Sequence, residues 1–196
     1  MKLRSASVAL ALWSAAAARA ELPGAEVRPE SVGTDVRSRR PWVIGAEAGW
    51  NALPGAGLVI ARRVDPHFTL EAGVGFSAEG PKFGLRGRYG FLQSGWTPFL
   101  AAGFLYGTGV PGPQTEGAGA KAFRYRIDGS PFLQLVAGAE YQGARGFIVS
   151  LTGGYARLLQ ENLVILSGAP AETDLSALRR RTGSGPVASI GLGHAF

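Results

Sequence analysis

The chain has 196 residues, of which 30 are glycine and none is cysteine, and its formal net charge at pH 7 is +6. Charged residues make up 17% of the chain, below the roughly 25% of a typical soluble domain. The absence of cysteine excludes a disulfide framework, a thiolate metal site and a cysteine nucleophile. Hydrophobic residues make up 46%, which is enough to bury a core and argues against intrinsic disorder.

The first 20 residues predict a cleaved secretory signal peptide. A basic start, Met1-Lys2-Leu3-Arg4, precedes an uncharged run over residues 5–17, and Ala18-Arg19-Ala20 matches an A-x-A cleavage signal. The uncharged run is shorter than the roughly 20 residues that span a bilayer as a helix. The chain after residue 20 carries 17 basic and 14 acidic residues, and this small excess does not indicate nucleic-acid binding.

Residues 21–40 predict a flexible periplasmic leader, because they are polar, contain Pro23 and Pro29, and show no apolar period. From residue 41 onward, apolar and small or polar residues alternate with a period of two, which is typical of strands whose two faces meet different media. Residues 41–196 therefore form the predicted domain, and eight strands can be counted in it. These strands are Trp42–Trp50, Ala56–Val64, His67–Ser77, Lys82–Phe91, Thr97–Thr108, Pro131–Gln142, Gly146–Leu158 and Val187–Phe196.

The second predicted strand shows no clear apolar face. Two connections are long, residues 109–130 and 159–186, and the others are short. Counting the strands up and down places both long connections on the side opposite the two termini. An even number of strands with short turns on one side and long loops on the other is the pattern of a closed outer-membrane barrel.

Aromatic residues recur eight positions apart on the apolar faces of these strands. Eight residues at about 3.3 Å each, tilted by about 40°, rise roughly 20 Å, close to the apolar band of about 25 Å in an outer-membrane barrel. Aromatic residues at both edges of such a band form two interfacial girdles. The predicted girdle residues are Trp42, Trp50, Phe68, Phe76, Phe83, Phe91, Tyr106, Tyr141, Phe147 and Tyr155.

The signal peptide, the eight-strand pattern, the segment Trp96–Phe104 and the terminal Phe196 together resemble small bacterial outer-membrane β-barrels of the OmpA/OmpX type, often called porin-like. The resemblance covers residues 41–196 and implies an all-β, eight-stranded antiparallel up-and-down transmembrane barrel. It also implies an integral outer-membrane location with both termini in the periplasm. In that family the terminal aromatic residue, here Phe196, is recognised by the outer-membrane assembly machinery. His194 departs from the aromatic residue that is usual at its position.

Charged residues also lie on the faces opposite the aromatic residues, so they point into the predicted barrel. Three are acids and three are bases, namely Glu47, Glu71, Glu140, Lys82, Arg86 and Arg88. Eight strands leave room only for side chains or one small ligand, which favours an ion-pair network that fills the lumen over a catalytic or ion-conducting interior. Symmetric pairing across the turn between Phe76 and Phe83 predicts that Glu71 lies opposite Arg88.

The residues show no catalytic, cofactor or metal signature, so we expect a non-enzymatic protein without a cofactor. The only histidines are His67 and His194. Lipid A deacylases of this barrel type carry a serine two residues after a histidine, whereas Thr69 and Phe196 stand at those positions here. The two histidines also lack the spacing of a metal-ligand pair.

Arginines in the two long connections are candidates for contact with the phosphates of lipopolysaccharide, because arginine binds phosphate in a bidentate manner. These residues are Arg124, Arg126, Arg179, Arg180 and Arg181. The alternative for them is a hydrated loop without a partner. For the whole protein, the alternatives are a secreted lipocalin-like barrel that binds an apolar ligand and a narrow porin for small solutes. The sequence favours a structural or surface-interaction role in the outer membrane.

Overall fold

The computed structural model describes residues 37, 39–117 and 122–196. The predicted signal peptide and most of the predicted leader lie outside the described residues. The described backbone forms eleven strands and one helix. They are β1 (Trp42–Trp50), β2 (Ala56–Arg63), β3 (Phe68–Ser77), β4 (Gly80–Gly90), β5 (Trp96–Gly107), β6 (Val110–Glu116), β7 (Phe123–Ile127), β8 (Ser130–Gln142), β9 (Phe147–Leu158), β10 (Leu163–Ser167), α1 (Glu172–Thr182) and β11 (Gly185–Ala195).

Eight strands form a closed antiparallel barrel in the order β1-β11-β9-β8-β5-β4-β3-β2. Each of these strands pairs with the next barrel strand along the chain, and β1 pairs with β11 to close the ring. The ends of the eight predicted strands are displaced by at most two residues from those observed. The predicted all-β up-and-down barrel is therefore confirmed.

The barrel has two different ends. The terminal end carries Trp42, Ala195 and three short turns, at residues 64–67, 91–95 and 143–146. The loop end carries the short connections 51–55 and 78–79 and the two long connections, residues 108–129 and 159–184. Both long connections lie opposite the barrel end that carries Trp42 and Ala195, as the strand count predicts.

The long connections contain regular structure that the sequence pattern does not predict. Strands β6 and β7 come from the first connection and β10 comes from the second, and together they form a separate sheet in the order β10-β7-β6. Asn162 links the two connections, because its carbonyl accepts a hydrogen bond from the Asp128 N–H at 2.7 Å. Its side-chain amide donates to the Ser130 hydroxyl at the start of β8 at 2.7 Å and to the Thr182 carbonyl at 2.8 Å. The described residues of the two connections are therefore joined to each other beyond the loop end of the barrel.

The connection Asn51–Gly55, here called the inserted loop, is buried along its whole length. Gln134 donates a hydrogen bond to the Asn51 carbonyl at 2.8 Å, and Leu53 is completely buried. Gly73 leaves the space that Leu53 needs, since a Cβ added there would lie 3.0 Å from the leucine side chain. The loop thus closes the lumen from the loop end.

An apolar cluster surrounds Leu53. Its members come from the inward faces of β5, β8, β9 and β11 as well as from the inserted loop, and they are Leu53, Phe99, Ala101, Leu105, Phe132, Val136, Ala156 and Val187. Leu105 and Phe132 are fully buried close to the loop end. Apolar side chains therefore fill much of the loop-end side of the lumen, beside the buried pair of Lys82 and Glu79.

The register between β3 and β4 differs from the predicted one. Ser77 pairs with Gly80, so only Ala78 and Glu79 form the turn, and Glu71 lies opposite Arg86. The prediction that Glu71 lies directly opposite Arg88 is wrong. The prediction treated the six residues between Phe76 and Phe83 as the turn, whereas both strands continue past these two residues to a two-residue turn.

Candidate functional site

The barrel has an apolar exterior and a charged interior. In β4, for example, Phe83, Leu85 and Tyr89 are exposed on the outer face, whereas Lys82 and Arg86 are buried on the inner face. Large apolar side chains are exposed in the same way on all eight barrel strands. This polarity is the reverse of the one that water imposes on a soluble barrel.

The ten predicted girdle residues all lie on the outer face, half at each end of the barrel. Trp42, Phe68, Phe91, Tyr141 and Phe147 lie towards the terminal end, and Trp50, Phe76, Phe83, Tyr106 and Tyr155 lie towards the loop end. Phe68 and Tyr106 are half-buried and the other eight are exposed. Tyr89, Trp96 and Phe104 are further exposed aromatic residues near these rings. Trp96 and Phe104 are themselves eight residues apart on β5, so the same spacing could have revealed them. Tyr89 has no aromatic residue eight positions away, and the spacing does not detect it.

Five of the six predicted lumen charges form one chain of ion pairs towards the terminal end. Arg86 is central, with its Nη2 2.9 Å from Glu47 Oε2 and its Nε 2.5 Å from Glu71 Oε2. Arg88 joins Glu71, at 2.5 Å, to Glu140. We call this set, with the two arginines described next, the lumen ion-pair cluster.

Two arginines that the sequence interpretation did not assign to the lumen complete this cluster. Arg37 Nη1 lies 3.0 Å from Glu140 Oε1, and its Nε donates to the Ser94 carbonyl at 2.8 Å. Arg63 Nη2 lies 3.7 Å from the same Glu140 oxygen. The pKa of the Arg37 guanidinium is lowered from its ordinary value. Burial and the nearby charge of Arg88 lower it, and Glu140 opposes them. Three guanidiniums therefore surround one carboxylate.

The alternation in β2 could have revealed Arg63, because Val59, Ala61 and Arg63 share one face that the structure turns inward. Arg37 could not have been found this way, since it lies in the predicted leader and outside any period. Arg37 makes defined contacts, so the structure does not show the predicted flexibility of the leader at this residue.

Lys82 does not join the lumen ion-pair cluster. Its Nζ lies 3.8 Å from Glu79 Oε2 and 5.2 Å from the centre of the Phe132 ring. Glu79 is buried in the tight β3–β4 turn and was not predicted as a lumen residue. The six predicted charges therefore belong to two separate groups rather than to one network.

A small cavity remains beside the lumen ion-pair cluster. Its volume is about 50 Å³, and its walls include Arg63, Arg88, Thr69 and Ser150. About 15 Å³ is enough for one water molecule, so the cavity holds a few waters or one small ion. A drug-sized ligand needs a pocket of roughly 300 Å³ or more.

The predicted arginines of the long connections are not equivalent. Arg126 pairs with Asp128 at 2.5 Å, Arg179 with Glu161 at 3.1 Å and Arg181 with Glu116 at 3.7 Å. The hydrogen bond from Arg126 lowers the pKa of the Asp128 carboxyl. Arg124 and Arg180 are also exposed, and among the described residues neither has an ion-pair partner.

The described part of the chain contains few other side chains that are typical of catalytic or metal sites. His67 Nδ1 contacts the Gly90 carbonyl at 2.7 Å and Nε2 contacts Gln93, while His194 Nε2 contacts the Arg145 carbonyl. Groups of three or more His, Asp or Glu side chains placed to hold a metal ion do not occur in residues 37, 39–117 and 122–196. The helix α1 is too short and too polar to cross a membrane, and the described residues contain no other helix.

Comparison with known proteins shows that this chain is similar in structure to solved β-barrel proteins. The N-terminal β-barrel domain of Pseudomonas aeruginosa OprF matches 80% of this chain and 98% of its own, with 16% identity and a TM-score of 0.49. Acinetobacter baumannii CarO matches 82% of this chain and 100% of its own, with 13% identity and a TM-score of 0.42. No family model and no curated protein matches the sequence. At this level of identity, the similarity to these two structures concerns the fold alone.

Proposed function

We propose that the protein is a non-enzymatic integral outer-membrane β-barrel with a structural or surface-interaction role. The observation that carries this proposal is the reversed polarity of the barrel, with Leu85 and Leu135 about two-thirds exposed outside and Arg86 buried inside. Exposed apolar patches above a few hundred Å² are rare on soluble monomers. Hydrocarbon around the barrel removes the cost of exposing these side chains to water.

The closed ring of strands supports the same proposal. Unpaired backbone groups cost several kcal/mol each in hydrocarbon, so only helices and closed barrels cross membranes. Here β1 and β11 pair along residues 43–50 and 188–195, which leaves the barrel without a free edge along that contact. We further propose that the terminal end faces the periplasm, because outer-membrane barrels have short periplasmic turns and long external loops.

The interior favours a filled lumen over the two alternatives. A lipocalin-like barrel would need an apolar internal pocket, whereas the cavity near Arg88 is small and charged. A porin would need a continuous water-filled path, whereas the inserted loop, Leu105 and Phe132 occupy the loop-end half. Neither alternative has a specific observation in its favour.

Membrane fractionation and gel migration test this proposal. We expect the full chain, expressed in a Gram-negative host, to remain in the outer-membrane fraction after a carbonate wash. Unboiled samples should migrate differently from boiled ones, because a folded barrel resists detergent at room temperature. Recovery of folded protein from the soluble periplasm or the medium would contradict the proposal.

For the surface-interaction role, we propose that the five arginines of the long connections face lipopolysaccharide phosphates, with Arg124 and Arg180 contributing most. Arg126, Arg179 and Arg181 each already have a carboxylate partner, whereas Arg124 and Arg180 have none among the described residues. Arginine binds phosphate through paired charge-assisted hydrogen bonds.

A matched pair of double variants tests this surface. Arg124→Gln with Arg180→Gln should lower the lipopolysaccharide that co-purifies with the folded barrel several-fold. The control, Arg126→Gln with Arg181→Gln, removes the same charge and should lower it less. Equal retention in the wild type and in both variants would show that these side chains are merely hydrated.

Phe196 is the proposed assembly signal. Its side chain is exposed, and its backbone exchanges hydrogen bonds with Trp42 at 2.9 and 3.3 Å. Because the phenyl ring packs little, Phe196→Ala should slow assembly in cells while changing the stability of the refolded protein by less than about 1 kcal/mol. Wild-type accumulation of Phe196→Ala in the outer membrane would reject this role.

A further inference from the structure

The lumen ion-pair cluster contains more positive than negative charge. Its guanidiniums belong to Arg37, Arg63, Arg86 and Arg88, and its carboxylates belong to Glu47, Glu71 and Glu140. The separate pair of Lys82 and Glu79 is balanced. The buried charges of the described residues therefore leave one positive charge without a counterpart.

Hydrogen bonding shows the same imbalance. Both carboxylate oxygens of Glu47, Glu71 and Glu140 already contact a guanidinium or, for one oxygen of Glu47, the Ser189 hydroxyl as well. By contrast, Arg88 Nε and Arg37 Nη2 are buried and have no hydrogen-bond partner among the described residues. The cluster therefore has donors to spare and lacks an acceptor.

A water molecule could satisfy one of these donors, but it could not neutralise the extra charge. Burying an ion without a partner costs several kcal/mol, and a guanidinium does not escape this cost by losing its proton. An anion supplies both the missing acceptor and the missing charge.

The cavity beside the cluster has the size and lining for such an anion. It measures about 50 Å³, and the Arg63 and Arg88 guanidiniums line it together with the Thr69 and Ser150 hydroxyls. We propose that this cavity binds one small monovalent anion of the size of chloride. The three carboxylates that also line it are each neutralised by an arginine, so they do not exclude the anion.

Unfolding in urea tests the proposal on the full chain refolded in detergent. At equal ionic strength, sodium chloride and sodium bromide should raise the urea midpoint above its value in sodium gluconate, whose anion is too large for the cavity. The increase should saturate with halide concentration, as binding to the folded state alone requires. Identical midpoints in the three salts would overturn the proposal.

Variants separate this site from a general salt effect. Arg63→Gln removes a proposed ligand of the anion. Arg37→Gln removes the excess positive charge of the lumen ion-pair cluster by a change at a residue that lies before the first barrel strand. Both should abolish the difference between chloride and gluconate. Arg62→Gln, next to Arg63 but over the Trp42 ring on the outer face, should keep it. A salt difference that persists unchanged in Arg63→Gln and Arg37→Gln would overturn the proposal.

A direct observation of the anion uses bromide-soaked crystals of the full chain. We expect an anomalous peak within hydrogen-bond distance of the Arg88 or Arg63 guanidinium. A fully ordered cavity without such a peak would show water there and would overturn the proposal as well.

Discussion

At the scale of single residues, the Glu71 carboxylate binds two guanidiniums, because one oxygen contacts Arg86 and the other contacts Arg88, each at 2.5 Å. Glu71→Ala leaves both guanidiniums buried with one partner fewer, so we expect a loss of about 3–5 kcal/mol in the free energy of unfolding. Arg88→Ala should be costly for the same reason. In the double variant, the cost should be smaller than the sum of the two by about 1–3 kcal/mol.

A double-mutant cycle from urea unfolding of refolded protein measures this coupling. The exposed pair of Arg179 and Glu161 is the control, and its coupling should not exceed about 1 kcal/mol because solvent screens it. A coupling near zero for Glu71 and Arg88 would mean that water already separates them.

For these residues, the sequence predicts the direction of the side chains but not their cross-strand partners. Alternation alone correctly predicts that Glu71, Arg86 and Arg88 point inward, because side-chain direction depends only on position along a strand. The cross-strand partner depends on the length of the turn, and Ser77 to Gly80 form a tighter turn than the aromatic positions suggest. Long side chains reach diagonal neighbours, so Arg88 contacts Glu71 although it does not lie opposite.

Among the structural elements, the inserted loop fills part of the lumen with the completely buried Leu53. Leu53→Ala should lower the free energy of unfolding by about 2–5 kcal/mol, because the rigid barrel wall cannot collapse into the space left behind. Leu166→Ala on the exposed strand β10 is the matched control and should cost less than about 1 kcal/mol. Equal urea midpoints for the two variants would show that the loop does not pack in the lumen in solution.

The long connections are the elements that the sequence pattern describes least well. Their strands are short, β6 contains glycine and proline, and β7 pairs with β10 across a long stretch of intervening chain. Such pairing depends on the barrel bringing the two connections together, so no local period reveals it. Asn162, which links them, gives no signal beyond that of an ordinary turn residue.

For the whole molecule, the sharpest test of the membrane proposal is a charge on the outer face. Leu151 is exposed and lies midway along its strand between the girdle residues Phe147 and Tyr155. Leu151→Lys should destabilise the barrel in lipid bilayers by about 2–4 kcal/mol, because the charge lies near the bilayer centre. The same change at Leu166 should alter stability by about 0.5 kcal/mol or less, since that strand lies outside the barrel.

Refolding into vesicles at a series of urea concentrations measures both changes. A Leu151→Lys barrel as stable as the wild type would place that face in water and would contradict the membrane proposal.

A second prediction for the whole molecule concerns conduction. With the inserted loop in one half of the lumen and the ion-pair cluster in the other, we expect no steady conductance from the wild-type protein in planar bilayers. Gel migration of the same reconstituted sample shows that the protein is folded. Steady channels from folded protein would contradict the filled lumen.

The sequence by itself determined the eight barrel strands, the direction of the side chains on all of them except β2, and the end that carries the long connections. These features follow from alternation and strand parity, which are local properties that survive any error in register. Tertiary structure alone decided that Asn51–Gly55 enters the lumen, that Arg37 reaches Glu140, and that β7 pairs with β10. Each of these contacts joins segments without a shared period, and each forms only because barrel closure brings those segments together.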